Sequence, residues 1–73
     1  MKKQYDMPRH DPLHIRHFRE KAGLTRAELA TKLGITHELM HDYENGYASP
    51  DLQTAERISA ILGVSLSDMA KGE

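Results

Sequence analysis

The sequence predicts an all-α domain of five short helices, and three observations carry that expectation. Glycines at 23, 34, 46, 63 and 72 and prolines at 8, 12 and 50 cut the chain into short segments. No segment sustains the period-two alternation of a half-buried strand, and the intervals are too short for parallel strands joined by crossovers. Each segment also opens on a residue that caps helices well: Asp11, Thr25, Thr36, Asp51 or Ser65.

Asp11 followed by Pro12 reads as a cap and a first helical proline, placing the first helix from about Pro12 to Ala22. Ile15, Phe18 and Ala22 then form its inner stripe, and Gly23 ends it. Thr25 with Glu28 is a capping box, in which hydroxyl and carboxylate each satisfy a backbone N–H at a helix start. It opens a second helix over about Arg26 to Leu33, with Leu29, Ala30 and Leu33 inward. Thr36 caps a third helix that Asn45-Gly46 stops, and only Met40 and Tyr43 lie clearly on its inner stripe. Pro50-Asp51 opens a fourth, where Leu52, Ala55, Ile58, Ile61 and Leu62 make a broad apolar face before Gly63. Ser65 with Asp68 reads as a second capping box, starting a fifth helix that offers Leu66 and Met69.

Residues 1–10 lack apolar periodicity and read as a flexible basic arm; residues 11–73 read as one domain. A chain of 73 residues buries only ~60–65% of its unfolded surface, so the core is thin. Without cysteine there is no disulfide framework and no thiolate metal site. No apolar run is long enough to span a membrane, and no apolar signal region follows the first ten residues, so a cytoplasmic protein is expected. The net charge of −1 conceals a split. Residues 1–33 hold eight basic and four acidic side chains, residues 34–73 two basic and seven acidic. The first half can attract phosphate; the second should repel it or serve something else.

The stretch Leu24 to Met69 carries "LT…ELA…LGI", the corner "YENG", a proline in the next loop and "LGVS" near its end. In these motifs the chain resembles the helix-turn-helix domain of phage Cro and repressor proteins and of xenobiotic-response-element-like regulators. The resemblance implies a compact lambda-repressor-like fold with a central helix-turn-helix, and a homodimer that binds an operator in double-stranded DNA. Physics supports the same docking: Ala30 is small enough for close helix crossing, and Gly34 relieves the turn.

By that resemblance the third helix lies in the major groove, and His37, Glu38, His41 and Asp42 are its base-reading candidates. At about 100° per residue these four share one outward arc of about 140°, whereas Glu44 falls back toward the core. Glu44 is similar to the glutamate that relatives bury against a first-helix arginine, here Arg19. Glu38 and Asp42 depart from the glutamine, serine, arginine or lysine usual on this face. A carboxylate near phosphates is repelled unless it accepts a hydrogen bond, most favourably from the cytosine amino group. The other reading of this acidic face is solvated surface, or the docking site of a protein partner, as in an antirepressor or antitoxin-like module. His37 and His41 could donate to guanine or phosphate, more so when protonated in mild acid. As an i, i+4 pair they lack a dependable third metal ligand, so no metal or cofactor is expected. Leu39 reads as the rim of the core.

With no lysine or arginine on the third helix, phosphate affinity must come from elsewhere. The candidates are Thr25 and Arg26 at the start of the second helix, Asn45 at the corner, and Lys2, Lys3 and Arg9 on the arm. Arg16 and Lys32 read as solubilising surface. The ends of the fourth and fifth helices, with Leu66 and Met69, are the expected dimer contact. No nucleophile motif or phosphate loop appears, and an enzyme is not expected.

Overall fold

A computed structural model describes residues 11–72. Lys2, Lys3, Arg9 and the expected arm over residues 1–10 lie outside them. The described residues form five helices and no strand: α1 Ile15–Lys21, α2 Arg26–Leu33, α3 His37–Asn45, α4 Leu52–Leu62 and α5 Leu66–Lys71. The sequence-based fold class stands.

The caps set the boundaries. Both halves of the Thr25–Glu28 box form: the Glu28 N–H donates to Thr25 Oγ1 at 3.0 Å, and the Thr25 N–H to Glu28 Oε1 at 2.7 Å. Thr36 Oγ1 accepts from the Leu39 N–H at 3.0 Å and Asp51 Oδ1 from the Thr54 N–H at 2.8 Å. At α5 only the hydroxyl half of the expected box forms, Ser65 Oγ accepting from the Asp68 N–H at 3.0 Å. Aspartate is one methylene shorter than the glutamate that reaches back in a full box. Gly34 and Gly46 stop α2 and α3 at φ 73° and 79°, a left-handed conformation that costs any side-chain-bearing residue about 1–2 kcal/mol.

The start of α1 differs from expectation. Asp11 and Pro12 belong to a turn closed by the His14 N–H on the Asp11 carbonyl at 2.9 Å, and His14 itself is left-handed, with φ 54°. A helix cannot run through that residue, so α1 begins at Ile15. Asp11 still serves the helix start from across the turn, its Oδ2 accepting from the Arg16 N–H at 3.2 Å. His14 is held there by a distant partner: its Nδ1–H donates to the Met69 carbonyl at 2.8 Å, tying the start of α1 to α5.

The core gathers Ile15, Phe18, Leu29, Ala30, Leu33, Met40, Tyr43, Ile58, Leu62 and Met69 from all five helices. Five of these side chains, Ile15, Leu29, Met40, Ile58 and Met69, are essentially sealed from water, each contributing about 1.5–3 kcal/mol of burial. Leu39 and Ile35 pack at its rim. Two expected core positions lie outside: Ala22 is exposed as the C-cap of α1, and Leu52 is 68% exposed in the first turn of α4. Met69 moves the other way. Expected at a dimer contact, it is fully buried because α5 folds back onto the core, so it offers nothing to a second copy.

Candidate nucleic-acid interface

The site is built on α3 and on what fastens its last turn. His37, Glu38 and His41 are exposed and Asp42 is half-buried, while Met40 and Tyr43 sink into the core. The outward arc drawn from the sequence is therefore present as one exposed polar face. His41 is the most constrained member: its Nδ1 lies 3.4 Å from Asp42 Oδ1, and its ring is nearly parallel to that of Tyr47, with centroids 6.4 Å apart. Among the described residues, no three His, Asp or Glu side chains gather as a metal-ligand set.

Glu44 takes the inward position its register implies, and its side chain is fully buried. Arg19 grips it with two bonds, Nε to Oε2 at 2.6 Å and Nη2 to Oε1 at 3.1 Å, and spends Nη1 on the Leu24 carbonyl at 2.9 Å. The expected Arg19–Glu44 pair thus joins α1 to α3 and also fixes the α1–α2 loop. Burial pushes the Glu44 carboxyl up, the largest single influence. Bonds and charge from Arg19 and then Arg26 outweigh it and hold the group below its ordinary value of 4.5. The Glu44 hydrogen bond in turn raises Arg19 further.

Two more arginines share this carboxylate, which sequence reasoning missed. Arg26 Nε donates to Glu44 Oε1 at 3.2 Å, and Arg16 Nε lies 3.7 Å from the same oxygen. Arg16, taken as solubilising surface, is thus part of the cluster. The signal was available for Arg16, which sits three residues before Arg19 on one helix face. For Arg26 there was none, because only the packing of α2 on α3 brings it within reach. Three guanidinium groups thus face one buried carboxylate at the edge of α3, with Glu20 acting on Arg19 and the Asp11 carboxylate accepting from the Arg16 N–H beside them.

The other phosphate candidates are partly committed within the fold. The Thr25 N–H is taken by Glu28, leaving the hydroxyl proton to donate. Asn45 Nδ2 donates to the His41 carbonyl at 2.8 Å, an internal tie that holds the amide against the helix.

A short two-helix unit, α2 and α3 packed on each other and joined by a left-handed glycine, with Ala30 buried in the core and a polar outer face on the second helix, defines a helix-turn-helix domain. The comparisons agree: the chain belongs to the helix-turn-helix family, whose sequence profile matches residues 15–69. It is similar to YqaE, an uncharacterized HTH-type transcriptional regulator of Bacillus subtilis, 42% identical over 60 residues that make up 82% of this chain and 52% of the relative. It is also similar to YonR, an SPbeta prophage-derived uncharacterized HTH-type transcriptional regulator of the same organism, 43% identical over 54 residues, or 74% of this chain and 50% of the relative. An uncharacterized HTH-type transcriptional regulator of Archaeoglobus fulgidus is 36% identical over 55 residues, 75% of this chain and 79% of its own length. The chain spans about half the length of the two Bacillus relatives.

Proposed function

We propose that this domain is a sequence-specific regulator of transcription that binds double-stranded DNA with the outer face of α3 in the major groove. The observation that carries this reading is that face: four polar side chains, His37, Glu38, His41 and Asp42, on a helix fastened at one end by Thr36 and at the other by buried Glu44. A reading helix must be rigid where it is held and bare where it reads. Membership of the helix-turn-helix family and similarity to HTH-type transcriptional regulators support the same assignment.

In this reading His37 and His41 donate to purine acceptors or phosphate. Glu38 and Asp42 accept from a cytosine amino group and reject bases that present only acceptors. Phosphate attraction comes from the first half of the chain, through Arg26, Thr25 and Asn45, with Lys2, Lys3 and Arg9 as further contributors. The protein acts in the cytoplasm as a homodimer on two half-sites about one helical turn apart, repressing by covering a promoter. Leu66 and Ile61, both partly buried, and the more exposed Leu52 are the apolar side chains that α4 and α5 have left for that contact.

Selection of bound duplexes from a random pool tests the reading. The expected outcome is a two-fold-symmetric site with cytosine at defined positions. Glu38→Gln should shift the preferred base without unfolding the domain. One observation favours a second reading: α3 holds no lysine or arginine, so its face suits a basic protein surface. If no duplex is retained even at low salt, the acidic face belongs to a protein partner.

A further inference from the structure

His41 is approached from its backbone, from its ring edge and from its ring face. Gly46, left-handed at φ 79°, turns the chain back at the end of α3. The Asp42 carbonyl then accepts from the N–H groups of Gly46, Tyr47 and Ala48, the last two at 2.9 and 3.3 Å. That return lays the Tyr47 ring beside the His41 imidazole, 7° from parallel, with centroids 6.4 Å apart. Aromatic pairs attract as offset stacks at about 4.5–7 Å, so this pair sits near the far end of the favourable range. Asn45 Nδ2 donates to the His41 carbonyl at 2.8 Å and fixes the backbone beneath the ring. His41 Nδ1 lies 3.4 Å from Asp42 Oδ1, which leaves Nε2 as the nitrogen for a ligand.

Core packing does not account for the ring pair. The His41 side chain is 47% exposed and Tyr47 is 55% exposed, so both rings stay at the surface. His37 and Glu38, exposed on the same face, make no hydrogen bond, ion pair or ring contact among the described residues. Of the two histidines on that face, only His41 is arranged before any ligand arrives.

We propose that Tyr47 is a positioning residue for base reading: its ring holds the His41 imidazole with Nδ1 toward Asp42, so that Nε2 is presented to a base edge. This rests on the DNA-binding reading of α3 and names a residue outside the helix that sharpens it. Ordering a mobile side chain during binding lowers affinity about two- to twelvefold. A ring already held in the free protein escapes much of that loss, and its fixed direction favours one base over others. A stacked pair shifts an equilibrium by a similar factor, and the 6.4 Å separation points to its lower part, about two- to fivefold.

The test combines binding and base preference for wild type, Tyr47→Leu, Tyr47→Phe, His41→Ala and His37→Ala, each as the full chain on the duplex selected from a random pool. Tyr47→Leu should weaken binding about two- to fivefold per domain, and by the square of that factor on a site holding two copies. It should also relax the preference at the one base position that His41→Ala relaxes. Tyr47→Phe keeps the ring and should behave as wild type. Added to His41→Ala, Tyr47→Leu should have no further effect; added to His37→Ala, it should have its full effect. Nuclear Overhauser contacts between the two rings in the free protein should be present in wild type and Tyr47→Phe. Thermal melts check that every variant is folded.

Tyr47→Phe as weak as Tyr47→Leu would mean that the hydroxyl acts on DNA directly, and would overturn the positioning role. Equal losses from Tyr47→Leu with and without His41 would do the same, as would absent ring contacts in the free protein. If wild type binds no duplex, the DNA-binding reading falls and the role of Tyr47 with it. If wild type binds and Tyr47→Leu matches it in affinity and base preference, only the role of Tyr47 falls.

Discussion

Replacing Arg19 with methionine would remove the charge that makes a buried Glu44 tolerable. Three hydrogen bonds disappear, two to the carboxylate at 2.6 and 3.1 Å and one to the Leu24 carbonyl at 2.9 Å. Removing one partner of a buried ion pair costs about 3–5 kcal/mol, mainly because the other charge is left in a poor solvent. Arg26 at 3.2 Å and Arg16 at 3.7 Å remain beside Glu44, so the low end, about 3 kcal/mol, applies here. A chain of 73 residues has about 4–11 kcal/mol of total stability, so the variant should keep about 1–8 kcal/mol and unfold at a clearly lower urea concentration. Urea denaturation followed by helical circular dichroism at neutral pH measures it. The companion variant, Arg19→Met with Glu44→Met, removes the orphaned charge and places two apolar side chains in the same volume. It should recover more than half of the loss, leaving about 1 kcal/mol. An Arg19→Met loss below about 1 kcal/mol, or a double variant less stable than the single, would refute the view that desolvated charge governs this contact.

Stability should also fall in acid. Glu44 has a folded pKa below its ordinary 4.5, so its contribution is complete above that value and is lost as pH drops below it. Unfolding midpoints measured from neutral pH down through this window should fall more steeply for wild type than for the double methionine variant. Met69→Ala should cost about 2–5 kcal/mol, by the same amount at every protein concentration, because the side chain fills the core and not a subunit contact. A concentration-dependent loss would return Met69 to an interface. Gly34→Ala meets no atom within 4 Å of the added carbon, so only the left-handed backbone at φ 73° resists it, at about 1 kcal/mol. That corresponds to a melting decrease of about 4–8 °C, and no decrease would mean the turn relaxes freely. His14→Ala should speed hydrogen exchange of α5 amides ahead of those in α2 and α3, since it removes the bond to the Met69 carbonyl. Uniform acceleration, or none, would deny His14 that local role.

Local chemistry was the legible part of this chain. Thr25, Thr36, Asp51 and Ser65 announce their helices because a cap is satisfied within three residues, and Gly34 and Gly46 announce the stops because φ is a property of one residue. The inward turn of Glu44 was readable for the same reason: helical register fixes its direction relative to Met40 and Tyr43. Errors arose where a residue answers to something distant. Asp11-Pro12 has the form of a helix start, yet His14, bonded to a carbonyl 55 positions away, takes a left-handed conformation and delays α1. Leu52 fits the apolar stripe of α4, but among the described residues no other element covers that first turn, and the side chain is 68% exposed.

The order of helices, the caps and glycine stops of α2 to α5 and the outward arc of α3 were therefore settled by the chain alone, since caps, glycines and a period of about 3.6 act over one or two turns. Tertiary structure alone decided that three arginines from α1 and α2 meet one carboxylate on α3, and that Met69 belongs to the core. Charges and apolar groups far apart in sequence interact only after packing excludes water and sets their distances, and no local pattern encodes either.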